Sequence, residues 1–326
     1  MRPYTTNAND LNMTDLIADI GATNARFQLA QNGGRVGEIW IGVTAEYDDI
    51  EQLVHDALDA IVVDEKPRRG LIAAAGPLGT GGDIEITNTG LHISPAKCEA
   101  VLGGPVRLIN DFYAVASGVP YFSSLHQIGG EVQIERATKA VLGPGSGLGM
   151  ATIAPIPGGW TVLSGEGGHA DFSPTSHLEA ELWSVLTQEF GHVSWETVLS
   201  GTGLENLYRA TSAMWGAKPD DLSAADISEA GVSMMDPVCH QSLELFASLL
   251  GCAAGNLALT VGATGGVYIA GGIAPRILDF LDTSPLRRRF EEKGLMQDYV
   301  KAIPLYVVTE TEPGLIGTLA CLNEGA

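Results

Sequence analysis

Two glycine turns, each set between short apolar runs, constrain this chain more than any other feature. The first lies in Leu16-Ile-Ala-Asp-Ile-Gly-Ala-Thr-Asn-Ala-Arg-Phe27, the second in Val141-Leu-Gly-Pro-Gly-Ser-Gly-Leu-Gly-Met150. The flanking residues are β-branched or apolar, so each pattern reads as strand, turn, strand and not as strand, turn, helix. That excludes two familiar phosphate motifs. No Gly-x-x-x-x-Gly-Lys-[Ser/Thr] occurs. Gly145-x-Gly147-x-Gly149 runs into the strand-like Met150-Ala-Thr-Ile-Ala, where a dinucleotide fingerprint must open a helix. A glycine turn lets backbone N–H groups approach an anion, and Thr23 or Ser146 adds a hydroxyl donor. Two such turns about one domain apart can clamp a polyphosphate from both sides.

Between them, Leu108-Ile-Asn-Asp-Phe112 ends an apolar strand on Asp111, a candidate general base. The combination points to phosphoryl transfer. Asp111 equally suits the N-cap of the helix that follows, and Asn110 suits either a turn or an amide contact to a hydroxyl.

Charge narrows the partners. A formal net charge of −21, with only 18 Lys plus Arg, repels nucleic acid and anionic membranes alike. It also repels ATP, so phosphate binding must rest on local amides, a helix N-terminus and a divalent cation. Cys98, Cys239, Cys252 and Cys321 form no C-x-x-C pair, which argues against structural zinc and a disulfide framework and suits a reducing cytoplasm. Residues 1–13 are polar, lack a hydrophobic signal core and read as a flexible leader. Leu245 to Pro275 carries no charge, but its glycines break it into a buried helix, a turn and a buried strand, so no membrane span is expected.

The chain reads as two α/β domains with one plan. Strands are expected at 16–30, 37–43, 70–75, 83–88 and 106–109, and helices at 48–63, 94–102 and from Phe112 to Val119. Ser94 is expected to cap the second of these helices, with Pro95 at its first position. The second half repeats the meander at 140–142, 150–156 and 160–163. Helices follow at 177–190, 203–211, 225–234 and 237–259, then a strand at 267–270, a helix at 275–281, a strand at 304–309 and a closing helix after Pro313. The expected boundaries are a small domain, 14–121 plus 310–326, and a large domain, 122–309.

In that order the motifs resemble bacterial glucokinases. They are Asp19-x-Gly21-Ala22-Thr23-Asn24-Ala25-Arg26, Ile109-Asn110-Asp111-Phe112, Leu142-Gly-Pro-Gly-Ser-Gly-Leu-Gly149, Gly165-Glu-Gly-Gly-His169, Val198-Leu-Ser-Gly-Thr-Gly-Leu204 and Ile269-Ala-Gly-Gly-Ile273. The resemblance runs from Leu16 nearly to the end. The chain lacks the Cys-rich zinc motif of the ROK sugar kinases, which favours the glucokinase branch. The resemblance implies a two-domain actin-like, ribonuclease H-like ATPase fold with ATP and Mg²⁺ in an interdomain cleft. It also implies phosphorylation of glucose at its 6-hydroxyl and a homodimer.

Carried over residue by residue, the resemblance makes Asp111 the base and places Asn110, Asp111, Glu166, His169 and Glu196 on the sugar. A carboxylate beside an imidazole, freed to converge by flanking glycines, suits vicinal hydroxyls. The rival for Glu166 and His169 is metal ligation, and for Glu196 a solvated helix position beside a capping Ser194. The first turn, Ala18, Asp19, Ile20, Gly21, Ala22 and Thr23, would hold one side of the nucleotide phosphates. Asp19 would hold Mg²⁺ directly or through water. Gly143, Gly145, Ser146 and Gly147 would hold the other side, and Gly271 and Gly272 would admit the adenosine.

Two departures stand out. Ala22 replaces a glycine, which is tolerable only with φ below zero. Leu91 stands where relatives commonly carry a tryptophan after Thr87-Asn88, near the sugar, so a kinase for another hexose or amino sugar is the nearest alternative. A non-catalytic sugar-responsive regulator would add a basic DNA-binding domain. An actin- or chaperone-like ATPase would not need Glu166 and His169.

Overall fold

The computed structural model describes residues 13–61, 66–86, 89–131 and 134–324. They divide into two compact units: residues up to Phe122 together with those from Thr311, and Ser123–Glu310.

The first unit is built on strands β1 (Asp15–Ile20), β2 (Asn24–Gln31), β3 (Gly34–Val43), β4 (Gly70–Ala74) and β7 (Val106–Asn110), in sheet order β3-β2-β1-β4-β7. β1, β2 and β3 form an antiparallel meander, whereas β1, β4 and β7 run parallel. The central strands β1 and β4 are buried on both faces, which is why they read as near-continuous apolar runs. Alternation divides their side chains. Leu16, Ala18 and Ile20 join a core with Ile50, Leu53 and Val54 of helix Ile50–Ile61. Ile17 joins one with Ala114 of helix Asp111–Gly118 and Leu315 of helix Pro313–Asn323. Asp19 therefore emerges on the side of the last two helices. Those helices pack with Gly317 directly on the Ala114 carbonyl, where a Cβ would overlap backbone.

A small ribbon of β5 (Ile84–Glu85) and β6 (His92–Ile93) extends this unit. The strand expected over 83–88 shrinks to β5, and Thr87 and Asn88 lie outside the described residues, as does Val63 of the expected first helix. Ser94 occupies the N-cap of Pro95–Leu102 but makes no side-chain cap bond.

The second unit repeats the plan with β8 (Leu125–Gln127), β9 (Lys139–Pro144), β10 (Leu148–Ile156), β11 (Gly159–Gly165), β12 (Val267–Ile269) and β13 (Leu305–Val308), in order β11-β10-β9-β12-β13-β8. Again three meander strands precede parallel ones, β9, β12 and β13. Helices Gly201–Met214 and Ala224–Val232 pack against the long helix Pro237–Val261, and His177–Phe190 packs on Gly201–Met214. By length and composition that 25-residue helix is apolar enough to cross a membrane. Here Gly251 and Gly255 bring it against the backbone of Leu286 and Phe290, and most of its apolar side chains lie in the core.

The helix expected over 275–281 is a 3₁₀ turn, Ala274–Ile277, followed by α-helix Leu278–Thr283. Helices Leu286–Glu291 and Gln297–Ala302 and strand β8 are additions to the sequence reading. Leu286, Phe290 and Val300 of these helices lie in the core beside ion pairs such as Arg287–Glu291 and the buried Arg289–Glu179, but segments this short show no apolar period. All four cysteines are free and buried.

Candidate active site

In the first unit, the C-terminal ends of the parallel strands lie side by side, with Asp19 and Asn110 among the sequence-predicted residues near them. The residues that end β1, β4 and β7, Ile20, Ala74 and Asn110, are register partners across the sheet. Open α/β sheets gather functional groups at such ends.

Asn110, not Asp111, caps the helix that follows. Its Oδ1 accepts from the Tyr113 N–H at 3.0 Å. Its Nδ2 donates to the Gly76 carbonyl at 3.0 Å and to Asp111 Oδ1 at 3.1 Å. Both amide hydrogens are thus engaged within the chain, and what Asn110 can offer a ligand is its Oδ1. Asp111, at the first helical position, accepts the Phe112 N–H at 2.7 Å. Burial pushes its carboxyl up to about 6, against the opposing pull of backbone N–H groups and the Asn110 amide. Such a carboxyl gives up its proton just below neutrality.

Asp19 stands opposite Arg26 in the β1–β2 ladder, and Arg26 Nε lies 2.6 Å from Glu312 Oε2. Gly314, in the first turn of helix Pro313–Asn323, lies so close to the Asp19 carboxylate that a Cβ would overlap it. Burial, then the Asp111 charge, pushes Asp19 up to about 7; Arg26 pulls it down and Glu312 adds to the rise. A half-buried carboxylate under this pressure is stabilised by a cation, and a hard divalent ion that keeps its waters needs few protein ligands. The oxygen donor therefore fits Mg²⁺. No cluster of three or more His, Cys, Asp or Glu suited to a metal occurs among the described residues.

The two glycine turns share one arrangement. In the first, Gly21 N–H bonds the Asn24 carbonyl at 2.9 Å; in the second, Gly145 N–H bonds the Gly147 carbonyl at 2.8 Å. These bonds close the turns and leave the N–H groups of Ala22 and Thr23, and of Ser146 and Gly147, without partners among the described residues. Thr23 and Ser146 are exposed. Ala22 keeps a negative φ, so its methyl costs the turn nothing. Ala18 and Ile20 are fully buried, and Gly143 is buried in β9 opposite Gly149, so they shape the strands from which the turns spring. Gly271, with φ +85°, sits directly on the Pro144 carbonyl, and the exposed Gly272 faces open space.

Glu166 and His169 lie at a 3₁₀ turn after β11, both exposed. His169 Nδ1 is 3.9 Å from Glu196 Oε1. Glu196 sits in the short helix Trp195–Val198, capped by Ser194 through a capping box with Thr197. It is not merely solvated: its Oε2 accepts the Leu148 N–H at 2.7 Å. Leu91 is only 2% exposed and belongs to the first unit's core. Sequence reasoning passed over Arg26, Glu312, Gly314 and Leu148. The pairing of Asp19 with Arg26 was recoverable from a hairpin register centred on Ala22-Thr23, and Pro313-Gly314 marks a helix start with room for close approach.

Two meander-plus-parallel units, each with an open phosphate-type turn, one bearing a buried acid at a strand end, define a phosphotransferase of the actin-like ATPase fold. The glucokinase family model matches residues 16–325. Glucokinases of Chromobacterium violaceum and Nitrobacter hamburgensis are 42% and 40% identical to the chain, covering 95% and 93% of it and 89% and 95% of their own lengths. The crystal structure of a glucokinase from an Antarctic psychrotroph is 36% identical, with a TM-score of 0.84 over 95% of this chain and 99% of that one. The chain belongs to the glucokinase family.

Proposed function

We propose that the chain transfers the γ-phosphoryl group of ATP to the 6-hydroxyl of glucose, with Asp111 as general base. The observation that carries the assignment is Asp111 itself. Its carboxylate is held by the Phe112 N–H at 2.7 Å and the Asn110 amide at 3.1 Å, and burial tunes it to about 6. Such a group is ionised at neutral pH yet basic enough to take the hydroxyl proton as the oxygen attacks.

Glucose is assigned to Asn110, Asp111, Glu166, His169 and Glu196. Asn110 contributes its oxygen and keeps Asp111 oriented. Exposed Glu166 and His169 offer acceptors and a donor to vicinal hydroxyls. The N–H groups of Ala22, Thr23, Ser146 and Gly147, with the hydroxyls of Thr23 and Ser146, are assigned to the phosphates. Gly271 and Gly272 are assigned to the adenosine. Asp19 would hold Mg²⁺, directly or through water; the bound ion would supply neutralisation of phosphate charge. Fixed amides and a positioned base supply the rest, because phosphoryl transfer depends mainly on alignment and electrostatics.

The homodimer rests on the family likeness, the cytoplasmic location on four cysteines without a C-x-x-C pair, and the exclusion of nucleic acid and membrane as partners on the net charge of −21. The testing experiment is a coupled assay of ADP release with Mg²⁺-ATP against glucose, mannose, fructose, galactose and N-acetylglucosamine. Turnover confined to glucose is expected. Turnover with another sugar alone would move the substrate, and no sugar-dependent turnover would overturn the reading.

A further inference from the structure

Glu196 joins two segments that the reaction uses separately. Its Oε2 accepts the Leu148 N–H at 2.7 Å, at the residue that closes the second glycine turn. A Cβ on Gly147 would crowd the same oxygen, so the glycine there admits the carboxylate against the turn. On the other side, Gly201 N–H holds the Gly145 carbonyl at 2.8 Å. The loop bearing Glu166 and His169 is fastened to the Glu196 segment as well. Trp195 N–H donates to the Ala170 carbonyl at 3.0 Å, Phe172 N–H donates to the Val193 carbonyl at 3.0 Å, and the Phe172 and Trp195 rings touch. Gly168 lies directly on the Leu148 carbonyl. Leu148 is thus engaged at both of its backbone groups, its N–H bonded by Glu196 and its carbonyl closely approached by Gly168.

We propose that Glu196 is a positioning residue for the phosphate turn, fixing through Leu148 which amides the turn presents to the nucleotide. With Leu148 N–H taken by the carboxylate and Gly145 N–H taken by the turn's own bond, Ser146 and Gly147 are left to donate. A bare carboxylate beside a phosphate site is repulsive, so what recommends Glu196 for this role is the acceptor atom and not the charge. The inference rests on the ATP and glucose assignments above, and it makes one residue answer to both substrates.

The test is calorimetric binding of Mg²⁺-ADP to the sugar-free protein, alongside KM for ATP and glucose, in Glu196→Ala, Glu196→Gln and Glu196→Asp. Glutamine keeps an acceptor at the same reach. Aspartate keeps the charge but is one methylene short of Leu148. Loss of this one bond is expected to weaken Mg²⁺-ADP by about tenfold in the alanine and aspartate variants. Glu196→Gln is expected to keep nucleotide affinity within about threefold while KM for glucose rises, because its amide cannot replace the carboxylate toward sugar hydroxyls. Thermal unfolding identifies folded variants, and the glutamine–aspartate contrast stands if the alanine variant does not fold. Equal nucleotide affinity in all variants overturns the proposal, as does a glutamine variant weakened as much as aspartate. A wild-type protein that binds no Mg²⁺-ADP would instead overturn the underlying nucleotide assignment.

Discussion

Asp19 and Arg26 face each other across the β1–β2 ladder, and Arg26 is held from its far side by Glu312 at 2.6 Å. The guanidinium pulls the Asp19 carboxyl down, against burial and the Asp111 charge that push it to about 7. Replacing Arg26 by Gln removes that pull, so Asp19 holds its proton to higher pH. The acid limb of kcat/KM, which reports the free enzyme, is expected to move upward by on the order of half a unit or more. A pH profile between 5 and 9 at saturating Mg²⁺ checks it; an unmoved or downward-shifted limb would refute the role given to Arg26.

Asp111 offers a sharper separation of activity from stability. Asp111→Asn keeps an oxygen for the Phe112 N–H but cannot accept a proton, so kcat is expected to fall by roughly 10²–10⁴. The folded-state value of about 6 lies above the ordinary 3.8, so the native chain binds more protons than the unfolded one between those values. The stability linked to this group is present below about 3.8 and is lost as pH rises through about 6. The asparagine variant lacks this loss. Urea denaturation should show it gaining on the wild type from pH 4 to pH 7.

The buried Lys139 runs the other way. It is 2% exposed, donates to the Gly265 carbonyl at 3.3 Å and lies 5.1 Å from the Trp160 ring centroid. Burial pulls it down from 10.5 to about 8, with Glu135 opposing. Between those values the unfolded chain binds the extra proton, so wild-type stability tied to this group rises with pH. Lys139→Met, of similar reach and without charge, is expected to be at least as stable as wild type at pH 7. Its advantage should shrink from pH 8 to pH 10, as read from denaturant midpoints at each pH. An advantage that grows over that range would contradict the account.

Particular residues show where reading the sequence succeeded. The hairpins were legible because a period-2 apolar run, a glycine turn and a second run have few other solutions, and β1–β2 and β9–β10 form on those residues. The cap of the Asp111 helix was misread because Asn and Asp are both strong caps; hydrogen-bond geometry chose Asn110. Leu91 stands at a position the resemblance ties to the sugar, yet its side chain serves the core, a matter of tertiary packing that local sequence does not encode. The contact of Glu196 with Leu148 spans 48 residues, and that of Gly314 with Asp19 joins the two ends of the chain. No local pattern signals either one.

Gly271 and Gly272 are adjacent and differ in what a methyl would meet, so the pair separates backbone need from ligand approach. Gly271 has φ +85° and lies on the Pro144 carbonyl. An alanine there takes on a left-handed strain of about 1–2 kcal/mol and must also displace the residue from which the second turn springs. Gly271→Ala is expected to lower the melting temperature by several degrees, since each kcal/mol is worth about 2–4 °C in a domain of this size. KM for ATP should rise with it. Gly272 has an ordinary φ and open space around its Cα, so Gly272→Ala should leave the melting temperature within about 1 °C. If the adenosine lies against this backbone, the same methyl nonetheless raises KM for ATP severalfold without changing KM for glucose. Calorimetry and steady-state kinetics on both variants check this. A Gly272→Ala enzyme with wild-type KM for ATP would remove the adenosine from this loop and leave Gly271 with a purely structural task.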